Sequence, residues 1–247
     1  MKAMIFAAGL GTRLRPITDT LPKALVPVCG EPLLAHVIRK LLAAGADDLT
    51  VNVHHFPELI IDWLGLHDFG VPVHISDERE QLLETGGAIR HARTYLDGGG
   101  PFLVHNVDIV SDLDLKDFMA AAPADALATL LVSERETRRY LLFDPDTMRL
   151  RGWTDISTGE VRSPWTDLDP AACRRLAFSG IHYISPAVFP LMESWPGRFP
   201  IMDFYLQVCR DFPIYGVAAP AGRTLVDVGK IETLSEAERV CQRLLND

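Results

Sequence analysis

Along the first half of the chain, short runs of apolar and β-branched residues alternate with longer stretches of helical character. A strand is predicted over residues 2–7, and a helix over 32–44 with Pro32 suited to its first turn and Gly45 just past its end. A β-rich run at 49–54 follows, then a short helix at 57–64, a strand at 71–75, a helix at 86–95 and an almost wholly apolar strand at 102–106. Strands separated by helix-length segments predict βαβ units and a mostly parallel sheet, so the fold class is α/β. In such sheets ligands sit beyond the carboxyl ends of the strands.

The middle of the chain reads differently. Strands at 126–133, 140–144, 148–153 and 176–184 are joined by polar turns, Asp144-Pro145-Asp146 being the clearest. The stretch 154–175, rich in Asp, Pro, Thr and Ser, reads as a loop or lid. Helices are predicted again at 186–192, 201–210 and 230–245, with a strand at 223–228. No repeat, low-complexity tract or linker interrupts the pattern, and 247 residues fit a single domain spanning 1–247.

Composition narrows the classes. Apolar residues make up 48% and charged residues 23%, as in ordinary soluble domains. No apolar run is long enough for a membrane span, and the apolar start ends in Gly11-Thr12-Arg13 rather than a cleavage site, so a cytoplasmic protein with no membrane partner is expected. The net charge of -9 argues against nucleic acid as a partner but not against a nucleotide. Cys29, Cys173, Cys209 and Cys241 form no C-x-x-C pair, which predicts free thiols and no zinc site.

The most informative chemistry lies at the start: Ala7-Ala8-Gly9-Leu10-Gly11-Thr12-Arg13-Leu14-Arg15-Pro16, then Leu21-Pro22-Lys23-Ala24-Leu25-Val26-Pro27. Glycines after a strand let backbone N–H groups approach a phosphate, and Arg13 and Lys23 supply cations. Leu14 stands where a dinucleotide fingerprint needs its third glycine, and the second strand ends in His54 rather than an acid, which speaks against a nicotinamide-dependent oxidoreductase. The Walker pattern is absent too.

This A-A-G-x-G-T-R-x-x-P…P-K-x-x-x-P pattern resembles the sugar-1-phosphate nucleotidyltransferases. The resemblance implies a three-layer α/β/α Rossmann-like fold with a small β-rich sugar-binding lobe. Residues 1–125 would mainly bind nucleotide, 126–230 mainly sugar phosphate, and 231–247 would form a C-terminal helix. It also implies that Ala8, Gly9, Gly11, Thr12, Arg13 and Lys23 wrap a nucleoside triphosphate. L-E-T-G-G-A-I at 83–89 resembles the base loop, giving Thr85, Gly86 and Gly87 to the nucleotide and Glu84 to the sugar phosphate; Glu78 would also read the base.

H-N-V-D at 105–108 resembles the family's N-G-D, placing Asn106 at the nucleotide and Asp108 on Mg²⁺, with Val107 in place of glycine. L-V-D-V-G-K at 225–230 resembles W-x-D-[IV]-G-T, making Asp227 the second metal ligand and departing at Leu225 and Lys230. Arg13, Lys23, Asp108 and Asp227 would be the catalytic set. A-F-S-G-I at 177–181 is similar to the sugar-contacting turn, giving Ser179 and Gly180. The family's E-K-P lysine is missing, and Arg138, Arg139 or Lys230 would replace it, with Lys230 the choice.

His54 and His55 point to opposite faces of a strand and cannot chelate together; one is expected in the packing and one at the sugar pocket. Trp153 and Trp165 read as loop anchors. Length and motifs look most like the short uridylyltransferases acting on N-acetylmuramic acid 1-phosphate. Guanylyltransferases for mannose or heptose 1-phosphate, a phosphocholine cytidylyltransferase and a non-catalytic nucleotide-sugar sensor are the rivals. A homodimer is common in the family.

Overall fold

The N-terminal strand lies inside the sheet, and its consecutive buried residues Ala3, Met4 and Ile5 cover both of its faces. The structure is a computed structural model that describes residues 1–246, with side chains as far as Arg243. Strand β1 (Lys2–Phe6) is followed by the two-residue strands β2 (Pro27–Val28) and β3 (Glu31–Pro32) and helix α1 (Leu33–Ala43). Next come β4 (Asp48–Val53), α2 (Pro57–Gly65) and β5 (Val73–Asp77). The helix expected over 86–95 is two pieces, α3 (Glu84–His91) and α4 (Arg93–Leu96), before β6 (Phe102–Asn106).

The second half holds β7 (Ile109–Ser111), α5 (Leu115–Ala120), β8 (Ala128–Ser133) and β9 (Arg139–Phe143). It continues with β10 (Leu150–Asp155), β11 (Glu160–Arg162), β12 (Arg174–Ile184), α6 (Val188–Met192) and α7 (Ile201–Val208). β13 (Ile214–Ala218), β14 (Leu225–Asp227) and α8 (Ile231–Asn246) complete it.

β5, β4, β1 and β6 run parallel, as the βαβ reading requires. β12 then joins β6 antiparallel and carries β8 and β9 antiparallel, with β13 parallel to β8. Alternation along each strand divides the core in two. Ala3 and Ile5 of β1, Leu103 of β6 and Leu131 of β8 face α1, α2, α5 and α8. Met4, Phe102, Val104, Leu130 and Val132 face α3, α4, α6 and α7. This is the three-layer α/β/α arrangement, with a mostly parallel central sheet.

Three elements differ from the sequence reading. The segment 154–175 is not wholly a loop: β11 pairs antiparallel with β10, and Arg162 and Arg151 lie over the Trp153 and Trp165 rings at 5.8 and 4.3 Å, so both indoles anchor this hairpin. β13 and β7 were not anticipated. β13 is an alternating run after Pro213, whereas β7 has three residues, too few to show a period. Asp114 caps α5 by accepting from the Lys116 N–H at 2.7 Å. The four cysteines are free thiols, and no helix among the described residues is long and apolar enough to cross a membrane.

Candidate active site

The loop leaving β1 is fixed from beneath by one buried polar chain. Asn52 Oδ1, on β4, accepts from the N–H groups of Ala7 at 2.7 Å and Ala8 at 3.3 Å. Asn52 Nδ2 donates to Glu78 Oε1 at 2.8 Å, and Glu78 Oε2 accepts from the Leu83 N–H at 3.0 Å. Glu78 thus ties the glycine loop to the 83–89 loop. Burial raises its carboxyl above the ordinary value, opposed by these two bonds. Each Glu78 oxygen holds one protein donor while the residue lines the cleft, and its bonds in the structure are to Asn52 and Leu83.

Above this chain opens a cleft of about 550 Å³. Ala8, Gly9, Gly11, Thr12, Arg13 and Lys23 line it together with Glu78, Glu84, Thr85, Asn106 and Asp108. Gly9 has open space around it, so a phosphate can approach its backbone. Gly11 is required for conformation: its φ is +63°, and a β-carbon there would stand 2.8 Å from Thr18 and 3.2 Å from Lys23.

The base-loop residues take roles other than those expected. Gly86 and Gly87 lie off the cleft lining and donate their N–H groups to the Phe199 carbonyl at 2.9 and 3.2 Å. A β-carbon on Gly86 would sit 2.3 Å from the Phe199 ring, and one on Gly87 2.6 Å from the Gly197 carbonyl oxygen. The pair therefore admits the 197–199 segment rather than presenting its N–H groups to a base. Thr85 Oγ1 accepts from the Ile201 N–H at 2.9 Å. Glu84 lines the cleft, and its carboxylate is paired with Arg198 at 2.8 Å. Gly86→Ala is accordingly expected to lower stability by about 1–3 kcal/mol through overpacking. A thermal melt checks this, and an unchanged Tm would show that the 197–199 segment yields freely.

The acidic residues, 119 positions apart, meet through a two-stranded sheet of three residues per strand. β14 pairs antiparallel with β7, setting Asp227 opposite Ile109, and the Val228 N–H donates to the Asp108 carbonyl at 2.8 Å. The Asp108 carboxylate is ion-paired with the Lys23 ammonium, both mostly buried. Asp227 Oδ1 is buried with no hydrogen-bond partner. Burial and the Asp108 charge push the Asp227 carboxyl up, against the opposing pull of Lys23, Arg13 and Arg135.

Gly229 was quoted only as part of a motif, yet it makes room for the Arg13 and Asp227 side chains. A β-carbon at 229 would stand 2.7 Å from Arg13 Nη2 and 2.8 Å from Asp227 Oδ1. Val107, in the glycine position, is buried in the cleft floor.

On the other side of Asn106 lies the 177–181 segment, which is not a turn but an irregular stretch inside β12. Gly180 has φ of +76°, and a β-carbon there would meet Ile109 at 2.7 Å and Asn106 Nδ2 at 3.1 Å. Ser179 is buried and its hydroxyl donates to Ser133 Oγ at 3.1 Å. Lys230 is exposed and off the cleft lining; its carbonyl accepts from the Thr233 hydroxyl at the start of α8. His54 donates to the Glu78 carbonyl at 2.7 Å and His55 to the Thr18 carbonyl at 3.3 Å, and neither lines the cleft. Asn52, Gly229 and Arg135 escaped the sequence reading. Asn52 alone left a signal, a polar residue inside an apolar strand.

A family model described as nucleotidyl transferase matches residues 2–144. The chain belongs to this family. The nucleotidyl transferase assignment agrees with both halves of the glycine loop and with the position of Asp108. An N-acetylmuramate alpha-1-phosphate uridylyltransferase from Caulobacter vibrioides is 35% identical over 223 residues, covering 87% of each chain. A mannose-1-phosphate guanyltransferase from Eremothecium gossypii is 37% identical over 212 residues, which is 82% of this chain but 56% of that one. The chain thus spans little more than half the length of that guanyltransferase.

Among solved structures, HddC from Yersinia pseudotuberculosis complexed with GMP-PN superposes with a TM-score of 0.74 at 22% identity, over 96% of this chain and 98% of the other. The inositol-1-phosphate CTP transferase from T. maritima gives 0.78 at 14% identity, over 98% and 95%. At those identities the likeness is one of fold.

Proposed function

We propose that the chain transfers a nucleoside monophosphate from a nucleoside triphosphate to a sugar 1-phosphate and releases pyrophosphate, with UTP and N-acetylmuramic acid 1-phosphate as its substrates. The observation that carries the chemistry is the meeting of Asp108 and Asp227 beside Lys23 and Arg13 at the cleft. The Caulobacter relative, matched along 87% of both chains, supports the substrate pair.

An oxygen of the sugar phosphate attacks the α-phosphorus; as the new P–O bond forms, the bond to the bridging oxygen breaks and pyrophosphate leaves with its electron pair. The attacking oxygen is already anionic at neutral pH, so no general base is needed. Repulsion between the two anions is the obstacle, and positioning with cationic clamping answers it. Arg13 and Lys23 would bind the triphosphate over the open backbone at Gly9. Asn52 and Glu78 would hold that loop in place, and Gly180 would bring the 177–181 segment against Asn106.

The buried, unpartnered Asp227 Oδ1 next to a second carboxylate fits a hard cation, which takes oxygen ligands and commonly uses one or two carboxylates. Asp108 and Asp227 would hold Mg²⁺, which when bound supplies charge neutralisation at the phosphates.

The test is pyrophosphate release in Mg²⁺ over UTP, GTP, CTP, ATP and dTTP against muramic acid, glucosamine, glucose, mannose and heptose 1-phosphates and phosphocholine. UTP with N-acetylmuramic acid 1-phosphate is expected to exceed every other pair by at least about tenfold in kcat/KM. A faster guanylyl pair would move the assignment to the guanyltransferases. Silence over the whole grid would refute transfer.

A further inference from the structure

A sugar phosphate brings a second anion to a site whose two recognised cations would already serve the triphosphate. Lys23 is paired with Asp108, and the Arg13 guanidinium lies against Gly229 and Asp227. The cations named from sequence for this task are turned elsewhere. Arg139 pairs with Asp155 at 3.4 Å, the Arg138 charge also acts on Asp155, and Lys230 stands at the start of α8 off the cleft.

Arg135 is placed differently. It follows β8, and its Nη2 donates to the Phe178 carbonyl at 3.2 Å, immediately before Ser179 and Gly180 on β12. The β12–β8 register shifts between Phe178 and His182, and the left-handed Gly180 within that shift brings the β12 backbone against Asn106 and Ile109. Those two residues flank Val107 and Asp108. The guanidinium is therefore anchored at the part of β12 that abuts the carboxylate pair. Its charge reaches Asp227, as do those of Lys23 and Arg13.

Arg135 is exposed and forms no salt bridge among the described residues. The bond to Phe178 uses one of the five N–H donors of an arginine and orients the rest of the planar fork.

We propose that Arg135 binds the phosphate of the sugar 1-phosphate, filling the role left open by the missing E-K-P lysine. The inference rests on the transferase reading above. A guanidinium suits this role because its planar donors match a phosphate in bidentate fashion, while the carbonyl bond holds the head in place before substrate arrives.

The experiment is steady-state kinetics on Arg135→Ala and Arg135→Lys with the best substrate pair, together with calorimetric titration of the nucleotide. Arg135→Ala is expected to raise KM for the sugar 1-phosphate by about 10–100-fold, the worth of a charge-assisted hydrogen bond. The nucleotide KM and Kd should stay within about twofold, since Arg135 lies outside the nucleotide cleft. Arg135→Lys should recover part of the loss as a point charge, and guanidinium ion added to Arg135→Ala should recover part of it too.

An active wild type with an unchanged sugar-phosphate KM in Arg135→Ala overturns the inference and leaves the transferase reading standing. Equal loss of nucleotide and sugar-phosphate affinity also overturns it, by showing a structural role. If the wild type releases no pyrophosphate with any pair, the transferase reading fails and the inference falls with it. Should Arg135→Ala not fold, the same KM split read on Arg135→Lys decides the matter.

Discussion

Asp227→Asn is expected to slow pyrophosphate release by about a thousandfold, the worth of several kcal/mol of transition-state charge stabilisation, and to raise Tm at the same time. The opposed signs follow from its surroundings. The Asp227 carboxyl is pushed up by burial and by Asp108, and its Oδ1 has no partner. A carboxyl whose folded pKa is raised holds its proton more tightly folded than unfolded. Its stabilising contribution is complete below the unfolded carboxylate range and is lost as pH rises through the folded pKa. At neutral pH the ionised group therefore works against folding.

Asparagine is a neutral isostere, so the repulsion with Asp108 disappears and Tm rises by about 2–4 °C for each kcal/mol relieved. Mg²⁺ should raise the Tm of the wild type by linkage and leave that of the variant nearly unchanged. The check is a set of melts between pH 5 and 8 with and without Mg²⁺, beside the rate assay. A variant of full activity would remove Asp227 from the chemistry. A lowered Tm in chelator would mean that Lys23, Arg13 and Arg135 stabilise the ionised carboxylate by more than burial and Asp108 cost it.

The parts of this site that could be read from sequence are those whose function and geometry are local. A strand, a glycine turn and two cations follow one another between Met4 and Pro27, and their order alone identifies a phosphate loop. Asp108 could be read because it closes an apolar strand. Asp227 needed the family resemblance: the contact that brings it to Asp108 is made by β7 and β14, three residues each, across 119 positions of chain.

The misreadings share one cause. Gly86 and Gly87 were assigned to the nucleotide by their type and neighbourhood. Which acceptor they meet depends on Phe199, which belongs to another segment. Lys230 was chosen for its place beside Asp227 along the chain, and the structure leaves it exposed and off the cleft lining.

Lys23→Ala is expected to reduce kcat/KM for the nucleotide by about two to three orders of magnitude while tightening Mg²⁺ binding. Lys23 lies in the Lys23–Leu25 turn, packed against Gly11, and its ammonium holds the Asp108 carboxylate. The ammonium and a divalent cation would compete for the same oxygens, so removing the lysine frees them. Catalysis falls nonetheless, because the clamp on the triphosphate is lost.

Removing one partner of a mostly buried ion pair also leaves Asp108 facing Asp227 uncompensated, which costs about 3 kcal/mol or more. In chelator the variant should melt several degrees below the wild type, and Mg²⁺ should restore most of the difference. Calorimetric Mg²⁺ titration and paired melts in chelator and in metal separate the two roles. If Mg²⁺ affinity and activity fell together, Lys23 would be a positioning group for the metal site rather than a competitor for Asp108, and the assignment of its charge to the triphosphate would have to be given up.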